Sequence, residues 1–334
     1  MTDSRPTNNG KKIGVVGCKH TTRDLIAGLM RYGFRVDHCI TISPEKAEKA
    51  EVAGYMDLSG FLNERGIPFT VTNTYHLKDD DDRATLLALG LDGLLVAGWQ
   101  RLIPEYFLES LSIGAFGMHG SSKPLPYGRG RSPMNWSLIQ GKQTFFTHLF
   151  KYMPGVDDGP IAGMQTFEIT DYDDAHTLHL KNLVAMIQLC RNTLPALLDG
   201  SAVFTPQPKE GETFYPKRSA EDGLLHWIDS TSDIFRLIRA VARPFPGAFT
   251  FLNDDPAQKI TIWRAIPFDR YLSWPDATAG QILDVFYDGS FVVKTGDSTM
   301  LVQDYDGIAL NETHIGHHLT TAAHPRKIWD NVPL

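Results

Sequence analysis

FGMHGSSKPLPYGRGRSPMNWSLIQGKQTFFTHLFKYMPGVDDGPI, residues 116–161, is the stretch on which the fold turns. It continues an apolar run that begins at Ser112 and reads as a short strand ending in His119. In a parallel α/β sheet, ligands sit beyond the C-terminal ends of strands, so a histidine at such an end faces the ligand side. Imidazole titrates near neutrality and can take or give a proton during a reaction. A carboxylate beside it fixes the ring and favours its charged form. Asp157, in the acidic turn VDDG, is the candidate partner, and Asp158 reads as a turn residue. Between the two lies a Gly/Pro loop with Arg129 and Arg131 in GRGRSP. Glycine permits close backbone approach and a guanidinium fork suits a carboxylate or phosphate, so one arginine is expected to face a ligand and the other to pin the loop. The run 133–139 reads as a helix opened by Pro133, with Asn135 and Trp136 packing.

Upstream, short apolar runs at 13–17, 34–42, 67–71 and 93–97 alternate with helical patterns at 22–33, 58–65, 79–89 and 103–111. That alternation implies a Rossmann-like, mainly parallel sheet with flanking helices. The first turn, GVVGCKHTT, lacks GxGxxG spacing and a well-placed acid, so no nicotinamide dinucleotide is expected. Downstream, an amphipathic helix runs from Asp171–Asp174 to Gly200. A Pro-rich polar stretch at 205–218 reads as a linker. After it come a helix over 231–242 and strand-like runs at 259–265, 281–287, 290–295 and 300–305, which suggest a small β-barrel-like domain. The expected division is a flexible leader (1–12), a catalytic domain (13–204), the linker (205–218) and a C-terminal β-rich domain (219–334).

A chain of 334 residues is long enough for two domains. Its formal net charge is −7, with basic residues scattered among more numerous acids, which argues against a nucleic-acid substrate. Cys18, Cys39 and Cys190 form no CxxC pair and read as small buried hydrophobes of a reducing cytoplasm. The N-terminus has no signal-peptide core, and no run of about 18 apolar residues suggests a membrane span. The densest histidine groups, His176/His179 and His317/His318/His324, lack HExxH spacing, so no metal is expected.

The stretch around 116–161 resembles the folate-dependent formyltransferase family, which includes methionyl-tRNA formyltransferase, glycinamide ribonucleotide formyltransferase and the sugar-nucleotide N-formyltransferases. The family pattern runs Asn-x-His, a Pro-containing loop, Arg-Gly-Arg-x-Pro, then Val-Asp-x-Gly. Here those positions read Gly117-Met118-His119, a loop to Pro126, Arg129-Gly130-Arg131-Ser132-Pro133, and Val156-Asp157-Asp158-Gly159. LLVAGWQRLIPEYFL (94–108), RSAEDGLLHW (218–227) and IRAVARPFPGAFTFL (238–252) extend the likeness over nearly the whole chain. The resemblance implies His119 as acid/base and Asp157 as its orienting partner. It implies Arg131 and the turn Met153, Pro154, Gly155, Val156 as walls of a 10-formyltetrahydrofolate pocket. The expected partners are that folate and a nucleotide-linked amino sugar, with a homodimer as the expected assembly. One departure stands out: the family Asn, an oxyanion donor, is Gly117, and the loop after His119 is about two residues longer. Asn135 is the sequence-level candidate to replace that donor. Methionyl-tRNA formylation, and folate binding without turnover, remain as alternatives.

Overall fold

The computed structural model describes residues 8–153, 155, 157–320 and 332. The first seven residues of the expected leader lie outside it. The first domain centres on β1 (Ile13–Val16) and β4 (Gly93–Val96), apolar runs in which every residue is buried. Burial on both faces is the rule for a parallel sheet covered by helices, and it is why these strands read as unbroken apolar runs. With β2 (His38–Thr41), β3 (Phe69–Val71) and β5 (Gly114–Ser121) they form the parallel part, ordered β3-β2-β1-β4-β5, of a seven-stranded sheet. Helices α1 (His20–Arg31), α2 (Pro44–Lys49), α3 (Ser59–Glu64), α4 (Asp80–Ala88) and α5 (Glu105–Ser110) make the crossovers. Among them only α2 has no counterpart in the sequence reading.

The last two strands, β7 (Thr144–Lys151) and β8 (Ile161–Glu168), run antiparallel and were not read from the sequence. β8 lies at the sheet edge with mixed, partly exposed residues, so neither an apolar run nor a clean alternation marks it. Their presence changes β5. It pairs with β4 only as far as Gly117, then continues to Ser121 against β7, with His119 opposite His148. The parallel pairing thus stops two residues short of the expected strand end at His119, and the strand itself runs on past it.

Helix α6 (Pro133–Ile139) has the bounds read from the sequence. Helix α7 (Ala175–Asp199) is capped by Asp174, whose carboxylate accepts from the Thr177 amide at 2.8 Å. It stops at Gly200, whose φ of 80° suits glycine. Its apolar face, with Met186, Leu189, Cys190 and Leu194, packs on the sheet. All three cysteines are buried and unpaired, and burial pushes the Cys18 thiol up to about 11 and those of Cys39 and Cys190 up to about 12.

The stretch read as a linker is packed down at several points. Thr205 bridges to Ile161, and β9 (Phe214–Tyr215) pairs with β6 (Arg129–Gly130). The buried Tyr215 ring stacks on Trp136 at 6.3 Å. Beyond it come α8 (Thr231–Val241) and an antiparallel sheet ordered β10-β11-β14-β13-β12: β10 (Ala248–Phe251), β11 (Lys259–Pro267), β12 (Ile282–Val285), β13 (Phe291–Lys294) and β14 (Thr299–Gly307). His318 bridges to Gln281 beside one edge strand and Leu319 to Leu252 beside the other, which gives the sheet a barrel-like closure. The domains share one apolar core, in which Trp136 and Phe145 meet Trp227, Ile234 and Leu237. Among the described residues no helix is long and apolar enough to cross a membrane.

Candidate active site

Side chains alternate across a strand, so Gly117 and His119 of β5 present to the same face of the sheet. His119 Nε2 lies 2.8 Å from the carbonyl oxygen of Gly128, in the loop that follows β5. Its Nδ1 lies 3.4 Å from Asp157 Oδ2, with the two side chains 10% and 20% exposed. That separation is long for a direct hydrogen bond, but catalytic contacts commonly tighten only when substrate is bound. Both ring nitrogens face acceptors, so satisfying both contacts takes a proton on each. To accept a proton, Nε2 must first exchange the Gly128 carbonyl for a substrate group.

Asp157 sits at φ 52°, a left-handed conformation that Asp tolerates better than most residues. The turn is held from behind by residues of the supposed linker. Gln207 Nε2 donates to the carbonyls of Asp157 (2.7 Å) and Gly159 (2.8 Å). Gln207 Oε1 accepts from Arg129 at 2.7 Å, and Arg129 also donates to Glu212 at 2.8 Å. Arg129 is thus the buried arginine that ties loop to strap. Arg131 is exposed, and only its backbone N–H, donating to the Tyr215 carbonyl, has a partner among the described residues. Lys19, the N-cap residue of α1, is close enough to feel the Arg131 charge; burial first, and that charge in addition, lower its pKa.

Of the turn expected to line a folate pocket, Met153 is 45% exposed and Gly155 stands so close to the Asp158 carboxylate that a β-carbon would collide with it. Pro154 and Val156 lie outside the described residues. Asn135 does not reach the site: its amide is buried and donates to the Ala240 carbonyl at 2.6 Å, tying α6 to α8. The space beside Gly117 is filled by Tyr152, whose hydroxyl oxygen lies 2.9 Å from where a β-carbon of residue 117 would stand. Among the described residues, no group of three or more His, Cys, Asp and Glu converges as a metal site. His317 and His318 contact Asn253 and Thr278, and His324 lies outside the described residues.

His148 is fully buried opposite His119. Its Nδ1 faces the His119 carbonyl and its Nε2 accepts from the Leu125 amide, both at 3.3 Å, so the neutral ring satisfies both contacts. Burial, above all, pushes its pKa down to about 4. The folded value lies below the unfolded one, so this stabilisation is present above about pH 6.5 and is lost as pH falls towards 4. The loss is roughly 1.4 kcal/mol per pH unit, or about 3 kcal/mol across the window. Urea midpoints at pH 7 and pH 5 should therefore converge in His148→Gln relative to the native chain. An equal pH dependence in the two proteins would show that His148 is not its source.

The formyl transferase family model matches residues 40–187, and the model of the formyl transferase C-terminal domain matches residues 217–307, so together they span most of the chain. The chain belongs to the formyltransferase family. His119 and Asp157 fall within the first matched segment. Solved structures share this formyltransferase's fold at low identity. HypX from Aquifex aeolicus in complex with tetrahydrofolic acid matches with TM-score 0.61 and 16% identity, over 89% of this chain and 44% of that one. The chain thus spans less than half the length of HypX. WlaRD, described as a sugar 3N-formyl transferase in the presence of dTDP and 5-N-formyl-THF, matches with TM-score 0.60 and 14% identity, over 88% of this chain and 97% of that one. An N-formyltransferase from Helicobacter canadensis, in complex with folinic acid and dTDP-3-aminofucose, matches with TM-score 0.60 and 13% identity over 88% and 99%.

Gln207, Tyr152, His148 and the Gly128 carbonyl, which surround Gly117, His119 and Asp157 in this formyltransferase, lie in no motif read from the sequence. Only alternation along 146–152 carried a signal, since it places His148 and Tyr152 on one face.

Proposed function

We propose that this formyltransferase moves a formyl group from 10-formyltetrahydrofolate to the amine of a nucleotide-linked amino sugar. The observation that carries the reading is the His119–Asp157 pair, 3.4 Å apart, just past the point where the parallel pairing of the sheet ends. His119 takes the proton that the attacking amine loses and returns it to the folate nitrogen that leaves. Asp157 orients the ring and stabilises its charged form between those two transfers. Arg131 has an exposed guanidinium suited to a carboxylate or phosphate of either substrate, and Met153 offers apolar surface to a pterin ring. An acidic chain, at net charge −7, suits a small nucleotide-linked substrate better than a tRNA. Buried unpaired thiols suit a reducing compartment such as the cytoplasm.

The test is incubation with 10-formyltetrahydrofolate and a panel of nucleotide-linked amino sugars, scored for N-formyl product and tetrahydrofolate. Formylation of charged initiator tRNA, with no sugar accepted, would replace the substrate class. Folate binding without product from any amine would favour a binding protein, the reading that Gly117 by itself motivates.

A further inference from the structure

Resting on that transfer reaction, we propose that the Tyr152 hydroxyl serves as the oxyanion donor in place of the side chain absent at Gly117. Tyr152 follows β7 directly, and its amide donates to the Ala115 carbonyl at 2.8 Å. Gly117 pairs with Phe150, so Tyr152 lies two positions along on the same face and leans diagonally across Gly117. Any β-carbon at 117 would overlap the tyrosine ring. The glycine is therefore the condition for the ring's position, and the two residues form one substitution of the site.

Three further observations make this phenol a donor. The hydroxyl has no hydrogen-bond partner among the described residues while the half-buried ring packs on the core, so the O–H is free to meet a ligand oxygen. It stands on the face that carries His119, close enough to Asp157 for the carboxylate to act on it. Burial first, and the Asp157 charge second, push its pKa up, so it keeps its proton at neutral pH.

In the addition step the amine lone pair forms the new C–N bond and the carbonyl π pair moves onto oxygen. The Tyr152 O–H donates to that oxygen as its charge grows. On collapse the pair returns to the C=O bond, and the bond to the folate nitrogen breaks with its electrons left on nitrogen. His119 supplies the proton for that nitrogen, and Tyr152 keeps its own throughout.

Tyr152→Phe retains the ring and removes only the donor. Transfer should slow by about 10²–10³-fold, the usual effect of losing one oxyanion donor, with little change in the KM for folate. The carbonyl stretch of bound, isotope-labelled 10-formyltetrahydrofolate, recorded without acceptor, should move to higher frequency in the variant. Gly117→Asn alone should be nearly inactive because the amide and the ring compete for one space, whereas Gly117→Asn with Tyr152→Ala should exceed Tyr152→Ala alone by at least about tenfold. A Tyr152→Phe rate within a few-fold of the native enzyme, or an unmoved carbonyl band, would overturn this assignment and leave the transferase reading intact. A native chain that binds no folate, or formylates no amine, would overturn that reading and this assignment with it.

Discussion

His119→Ala should lower formyl transfer by about 10²–10⁴-fold, the range expected when a positioned acid/base is removed. The ring is mostly covered and lies between the Gly128 carbonyl and the Asp157 carboxylate. The histidine opposite it, His148, cannot stand in, because it is fully buried and engaged at both nitrogens. The loss should appear in kcat, measured as a single-turnover rate, because folate contacts elsewhere remain. Stability should change little, because Asp157 is partly solvated and water can replace the ring. An unchanged melting temperature with a rate within tenfold of the native enzyme would remove His119 from the chemistry.

Asp157→Asn is the second large effect, a fall of about 10²-fold or more by comparison with other carboxylate–histidine pairs. Asparagine keeps the shape and tolerates the left-handed φ of 52°, so the turn on Gln207 should survive. What is lost is the negative charge 3.4 Å from Nδ1. A neutral amide leaves the imidazolium formed during transfer without its counter-charge, so the fall should appear in kcat with little change in the KM for folate. A rate within tenfold of the native enzyme would remove the Asp157 charge from the chemistry.

Much of this was readable along the chain because two kinds of signal are local. Strands β1 and β4 are covered on both faces, so each appears as an apolar run wherever the chain folds. Helix α7 announces itself through Asp174 and Gly200, and α6 through Pro133, because caps act within one turn. Strand β8 was invisible because an edge strand needs neither face fully apolar. The prolines of 205–218 read as a tether, yet the polar residues between them, Gln207 and Glu212, hold Arg129 and the Asp157 turn. An amide such as Asn135 reads the same whether it faces a cleft or, as here, the Ala240 carbonyl.

The sequence by itself determined the parallel core, the capped helices and the family, and it named His119 and Asp157, because apolar periodicity, caps and motif spacing are properties of neighbouring residues. Only the tertiary structure decided which nitrogen meets the carboxylate, which arginine is tied down, and that a tyrosine from the next strand lies where a side chain at 117 would be. Those are matters of strand register and approach between distant segments, and register is fixed when the sheet assembles.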